Sequence, residues 1–329
     1  MGMSKRWGRP HPDRRDWPAY NEQLVVRGEF FLDLSLFETW DEELARLNRG
    51  KRGGQFRFPP SFVRWLVIWK QLLDYRSLEG LTRRLAALRL IPAFADYTTL
   101  WHRLHRETPE VKLPKFTELE LASDGSGLKT TNAGEYRIFR YGDPDARQRK
   151  HLVVVITADV RRKKVIGIEA HIEGKGHSEV GAAMGHVREA AARGYRVRSF
   201  RGDGAYDARA VFEELKAVGA EPVVKIARNA QGYGMHTSCQ GRGAAARRRA
   251  VREYRRLGYR AWADTKGYGM RWPGTEGIFS ALKRKFGENM VSRSARGLVA
   301  EGYQRVWAYD ELREYGETHV QRPAWVRPT

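Results

Sequence analysis

The chain has 329 residues, 41% of them hydrophobic, enough for one large or two ordinary globular domains with a sizeable core. Lys and Arg outnumber Asp and Glu 60 to 39, a formal charge of +21, so the compact state repels itself and calls for a polyanionic partner, nucleic acid first. The single cysteine, Cys239, excludes an intramolecular disulfide and a cysteine-rich zinc site, and the most apolar stretch, 62–73, is too short and too charged (Arg64, Lys70) to cross a membrane.

Residues 1–18 are rich in Arg, Pro and Trp, with Pro10, Pro12 and Pro18 opposing regular structure, and read as a flexible basic arm without the apolar run of a signal peptide. From 19 to 110 the pattern is helical. Tyr20 to Asn48 is followed by a basic, glycine-rich loop, 49–54, and Pro59-Pro60 then opens a helix with Phe62, Trp65, Leu66, Trp69, Leu72 and Leu73 on one face. A second amphipathic helix spans 77–90, and Thr98 or Thr99 is placed to cap a third, running to Arg106. Three helices ending in a short basic one fit a helix-turn-helix-like DNA-binding domain with Arg103 and Arg106 exposed, or equally an ordinary bundle with a charged face.

After Pro114 strands alternate with helices. Leu119–Ser123 reads as a strand ending at Asp124, within Asp124-Gly-Ser-Gly127; a short strand is expected over 136–141 and a charged turn through Asp143 and Asp145. Residues 151–158 form a β-branched central strand, 164–172 its hairpin partner, 179–193 a helix capped by Ser178, and 195–201 a strand ending in Gly202-Asp203-Gly204. A helix beginning at Asp207 and a strand over 221–226 follow. Residues of about 227–260 lose periodicity and form a basic insertion in which Arg247, Arg248 and Arg249 contact phosphate or lie on a solvated helix. His171, His177 and His186 lack ligand spacing and are expected on strand, loop and helix surfaces, His177 with some access to the cleft. In 268–288 a loop with Pro273 and Gly274 feeds a helix capped by Thr275, whose stripe Ile278, Phe279, Leu282 and Phe286 faces a core. At about 100° per residue, Glu276 and Lys283 share one shoulder of that helix, within roughly 20° of each other. The tail 296–329 shows no clear period.

Asp124, Asp203 and Glu276 thus lie on separate elements of an alternating strand and helix pattern. Each alone is an ordinary turn former or helix-dipole partner. Together they can hold a pair of hard cations such as Mg²⁺, which clamp the attacking and leaving oxygens of a phosphodiester displacement.

Residues 60–290 resemble the DDE transposases of prokaryotic insertion sequences of the insertion-sequence-5 and insertion-sequence-4 type, through the stretches 92–100, 122–127, 200–207 and 268–288. That family carries a Tyr-x2-Arg-x3-Glu-x6-Lys signature. Tyr268, Arg271, Glu276 and Lys283 match it except that four residues, not three, separate Arg271 from Glu276. The resemblance implies an α/β, RNase H-like mixed sheet flanked by helices over 115–295, preceded by the all-helical DNA-binding region. It implies two Mg²⁺ or Mn²⁺ ions held by the catalytic residues Asp124, Asp203 and Glu276, with Lys283, Arg271 and Tyr268 toward DNA. It further implies cleavage at terminal inverted repeats and strand transfer into target DNA, by a homodimer on paired ends in the cytoplasm at the nucleoid. A nuclease that cuts without strand transfer and a catalytically silent DNA-binding derivative are the alternatives.

Overall fold

The structure, a computed structural model, describes residues 3–6, 9–12, 16–130, 151–173, 176–228, 230 and 244–320. The strand expected over 136–141, the turn through Asp143 and Asp145, and Cys239 lie outside the described residues. The chain divides into two compact units, one of 1–95 together with 308–329, the other of 96–307.

The first unit opens with a two-stranded hairpin, β1 (Met3–Arg6) against β2 (Arg9–Pro12), where the sequence predicts an irregular arm. Pro10 and Pro12 are two apart, so both can take positions whose N–H would point outward and no ladder bond is lost. The helices α1 (Trp17–Glu29), α2 (Trp40–Asn48), α3 (Pro60–Lys70) and α4 (Tyr75–Ala87) follow. Three of these starts have a local cause: Asp16 and Asp74 accept backbone N–H groups of Ala19 and Ser77, and Pro60 needs no partner in a first turn. Phe62 is fully buried among Trp40, Phe58 and Trp65, with ring centroids 5.0 to 5.9 Å apart. The far half of the long helix Ala295–Thr318 belongs to this unit, where Tyr315 meets Phe30 edge-on at 5.2 Å.

The second unit begins with α5 (Tyr97–Leu104). Its cap is Asp96 rather than a threonine: the carboxylate accepts the N–H groups of Thr98 and Thr99 and both their hydroxyls. The sheet consists of β3 (Glu118–Leu128), β4 (Leu152–Asp159), β5 (Lys164–Ile172), β6 (Arg196–Gly202) and β7 (Glu221–Val224), in the order β5-β4-β3-β6-β7. β3, β4 and β5 pair antiparallel, whereas β3–β6 and β6–β7 are parallel. This is the RNase H-like mixed sheet expected from the sequence. One face packs on α6 (Glu179–Ala192) and α7 (Arg209–Ala217) through a core that includes Leu121, Met184, Val187, Phe200 and Phe212. With side chains alternating along β3, the even positions, Asp124 among them, face the other way.

The basic stretch is α8 (Ala244–Thr265), in which Gly258 alone departs from helical geometry, at φ 72°. The sequence shows no clear period there because seven arginines are interleaved with the apolar positions, many of which are only alanine. Ala246, Ala250, Val251 and Tyr254 nonetheless recur at helical spacing and pack on the sheet core, with Val251 fully buried. A single helical turn, α9 (Arg271–Gly274), replaces the expected loop before α10 (Glu276–Phe286). Pro273 is tolerated because a first turn has no N–H to pair. The final helix is α11 (Ala295–Thr318), aperiodic in sequence because polar residues lie buried along it; Arg305 pairs with Glu301 at 2.8 Å, and Gln304 donates to two carbonyls.

Two of the histidines are not on the surface. Of the three expected there, His171 and His186 are buried and His177 is half exposed. His186 meets the Thr157 hydroxyl at 2.9 Å, which in turn donates to Ser123, so three buried polar side chains on the α6 side of the sheet are joined by hydrogen bonds.

Candidate active site

β3 runs past the end of its parallel neighbour. Its last pairing with β6 is Ala122 with Arg201, while its antiparallel pairing with β4 continues to Leu128. Asp124 is therefore inside a strand, not at its end as the sequence predicts, because Gly125 and Gly127 keep to the ladder with β4 instead of turning. On the β6 side the ladder is open at this level. Extending the parallel register two residues beyond Ala122 and Arg201 brings Asp124 level with Asp203, the first residue after β6. Asp203 accepts the N–H of Ala205 at 2.8 Å, which fixes the carboxylate at the start of the turn Gly204–Tyr206.

Glu276 is the first residue of α10, seated by the stripe Ile278, Phe279 and Leu282, all buried. Thr275 does not cap the helix; its hydroxyl donates back to the Arg271 carbonyl at 3.1 Å, with φ −125° and ψ −72° marking the break between α9 and α10. Lys283 lies two turns further along α10, half-buried. The far ends of β3 and α10 are clasped together, since Lys129 accepts from Met290 N–H and donates its own N–H to Glu288.

Arg271 joins the two acidic elements. Its Nη1 is 3.7 Å from Asp124 Oδ2 and its Nη2 3.2 Å from Glu276 Oε1, and the guanidinium is buried. Beneath it Tyr268 is 4% exposed and packs on Trp262 at 5.1 Å and on Val223. Burial pushes the Tyr268 phenol up to about 12, so it stays protonated.

A fourth carboxylate belongs to the group. A Cβ on Gly125 would come within 2.5 Å of the Glu179 carboxyl, so only glycine lets that side chain lie against β3. Burial first, then the charges of Asp203 and Glu179, raise the Asp124 pKa; Arg271 and the Gly125 N–H work the other way. Arg271 stands between Asp124 and Glu276, and with Asp203 these carboxylates offer the hard oxygen donors that a divalent cation takes, while Glu179 lies across β3 from them. Sequence reasoning misses Glu179 because a glutamate at a helix start reads as a dipole partner; the glycine inside β3 is the signal that could have found it.

The predicted phosphate-binding residues are placed as follows. Arg247 is engaged with Asp207, whose side chain is 1% exposed, through Nε–Oδ1 at 2.7 Å and Nη2–Oδ2 at 2.9 Å. Arg248 is half-buried and Arg249 exposed on α8; Arg103 is half-buried and Arg106 exposed at the end of α5.

Residues 115–310 match a family profile described as transposase DDE domain, and residues 25–133 match a second profile with the same description. Among solved structures the chain is similar to piggyBac transposase in a synaptic complex with hairpin DNA, determined by cryo-EM. The identity is 12% and the TM-score 0.35, over 90% of this chain and 75% of that one. No helix among the described residues is long and apolar enough to cross a membrane.

Proposed function

Because the chain belongs to the transposase DDE domain family, whose profile spans residues 115–310, we propose that it is a transposase of the prokaryotic insertion-sequence-5/4 type, which cuts DNA at terminal inverted repeats and joins the freed ends to target DNA. The observation that carries this reading is the pairing of Asp124 and Glu276 on one buried guanidinium with Asp203 level with Asp124.

Asp124, Asp203 and Glu276 are the residues that would hold two Mg²⁺ or Mn²⁺ ions, which when bound supply a cationic clamp for the attacking and leaving oxygens. Everything else in the site prepares those carboxylates. Arg271 keeps Asp124 and Glu276 aligned and offsets their repulsion. Tyr268, Trp262 and Val223 wall off the underside of that guanidinium. Glu179 adds negative potential from the opposite face of β3. Lys283, on the Glu276 shoulder of α10, holds a phosphate beside the cut end.

DNA is the partner in this reading, as it is in the piggyBac complex, and it accounts for a charge of +21. Arg249, Arg248, Arg106 and Arg103 extend the phosphate-contacting surface, while Arg247 and Tyr268 hold the scaffold. A homodimer engages the paired ends.

Glu276→Gln tests the assignment. The variant is expected to bind terminal-repeat DNA normally and to lose Mg²⁺-dependent cleavage; unimpaired cleavage would remove the proposal. Cleavage by the wild-type chain without joining of a precleaved end to plasmid DNA would leave a nuclease.

A further inference from the structure

We propose that Glu169, His171 and His177 form a second metal site, distinct from the carboxylate group, that takes a single Zn²⁺ ion. Glu169 and His171 are two apart on β5 and so share one face of the strand, and His177 returns to them from the segment before α6. Glu169 Oε1 lies 3.5 Å from His171 Nδ1 and 3.5 Å from His177 Nδ1, and the three donor atoms are all within 4.8 Å of one another.

The two 3.5 Å separations are close to the edges of a tetrahedral ion. Zinc bonds of about 2.0–2.1 Å make each edge of the tetrahedron roughly 3.3–3.4 Å. They do not match a hydrogen-bonded cluster: His171 Nδ1 is buried and has no hydrogen-bond partner, although a carboxylate oxygen lies 3.5 Å away. A polar atom so placed calls for a ligand. The imidazoles stack at 4.7 Å with 14° between planes, and His177, half exposed, is the ring able to turn so that both lone pairs converge. Two imidazoles and one carboxylate suit zinc and its analogue cobalt, and disfavour Mg²⁺, which takes oxygen donors. The site borders a cleft of about 490 Å³ lined by Arg106, Thr108, His171, His177 and Arg296, which leaves room for a water or an anionic oxygen in the fourth position.

The site has a structural consequence for the carboxylate group. Val155 pairs with both Glu169 and Gly125, so the two strands stand level with β4 between them, about 10 Å apart. His177 precedes the helix cap Ser178 and then Glu179, the residue lodged against Gly125. An ion on His177 would pin the start of α6 to β5 and thereby fix the seat of Glu179.

The test is zinc titration of the full-length, untagged chain by calorimetry, with Co²⁺ absorption reporting coordination number. One Zn²⁺ per chain is expected, with four-coordinate cobalt bands, and both should persist in the Asp124→Asn/Asp203→Asn double variant. His177→Ala, at an exposed position that folding tolerates, should weaken zinc binding by at least about tenfold, as should the near-isosteric Glu169→Gln. Zinc should also raise the thermal midpoint of the wild-type chain and not that of His177→Ala. Absence of zinc binding, binding unchanged in both single variants, or loss of binding in the Asp124/Asp203 variant would each overturn the proposal; the last would assign the ion to the carboxylate group.

Discussion

Arg271 donates to Glu276 at 3.2 Å across five positions of the chain, a contact that an unbroken helix does not make. Residues five apart on a regular helix diverge by roughly 140° around the axis. The break at Thr275, where the backbone leaves helical angles between α9 and α10, turns the guanidinium back over the first residue of the next helix. The break lies between Arg271 and Glu276, and the two side chains meet across it.

Arg271→Ala should therefore separate catalysis from binding. Without the guanidinium, Asp124 and Glu276 lose their shared counter-charge and Asp124 is left to its burial and its acidic neighbours. Metal-dependent cleavage is expected to fall by about 10- to 100-fold, with terminal-repeat binding changed little. Arg271→Lys should recover only part of the loss, since a single ammonium nitrogen lacks the two spaced nitrogens that face Asp124 and Glu276. Cleavage rates over a Mg²⁺ series, beside gel-shift affinities, read both quantities.

Glu179→Gln should raise the metal concentration needed for half-maximal cleavage, by about tenfold, through removal of negative potential next to Asp124. Gly125→Ala should move the same quantity further, because its methyl group displaces the Glu179 carboxyl outright. An unchanged metal dependence in both variants would reduce Glu179 to a helix-start residue.

Arg247 and Arg249 stand two residues apart on α8 and should behave oppositely. Arg247→Ala leaves the buried Asp207 carboxylate without its fork and is expected to cost about 3 kcal/mol in urea unfolding. Arg249→Ala should leave the unfolding midpoint alone, weaken DNA binding, and lower the slope of log affinity against log salt by about 1. Equal stability effects in the two variants would contradict this division.

Glu301 makes stability pH-dependent. Burial works to raise its pKa, but the N–H groups of Val291 and Ser292 and the Arg305 guanidinium outweigh burial and leave it below the ordinary glutamate value. A carboxyl lowered on folding contributes stability that is complete above an unfolded value near 4.5 and is lost as pH falls through the folded one. Glu301→Gln should thus be about 2 kcal/mol less stable than wild type near neutral pH. The gap should narrow as urea titrations are taken below pH 4.5.

The sheet was legible because its strands announce themselves. The β-branched run 152–158 and the glycine-bounded ends of β5 and β6 fix their own limits, and Asp203 follows from β6. Asp124 was legible in identity but not in setting, since whether a glycine ends a strand or continues it depends on the partner strand, which local sequence does not contain. Glu179 and Glu169 were invisible for a related reason. Their significance lies in what crosses the sheet to meet them, Gly125 in one case and His177 in the other. Periodicity failed for α8, where arginines are interleaved with the apolar positions and Arg247 is held by Asp207, and for α11, where the buried pair Arg305 and Glu301 stands at positions that hydrophobic spacing assigns to apolar residues.

The N-terminal helical unit includes 308–318, with Tyr315 against Phe30. A ribosome delivers residues 17–95 first and their C-terminal packing partners only after the whole of 96–307, a delay on the order of ten seconds or more at ordinary elongation rates. During that interval the nascent chain carries an aromatic helical segment whose core cannot close. A message cut short between residues 287 and 307 yields a protein in which the carboxylate-bearing half has all its strands but the other unit lacks its closing helix, and such fragments should be held by chaperones or degraded rather than accumulate.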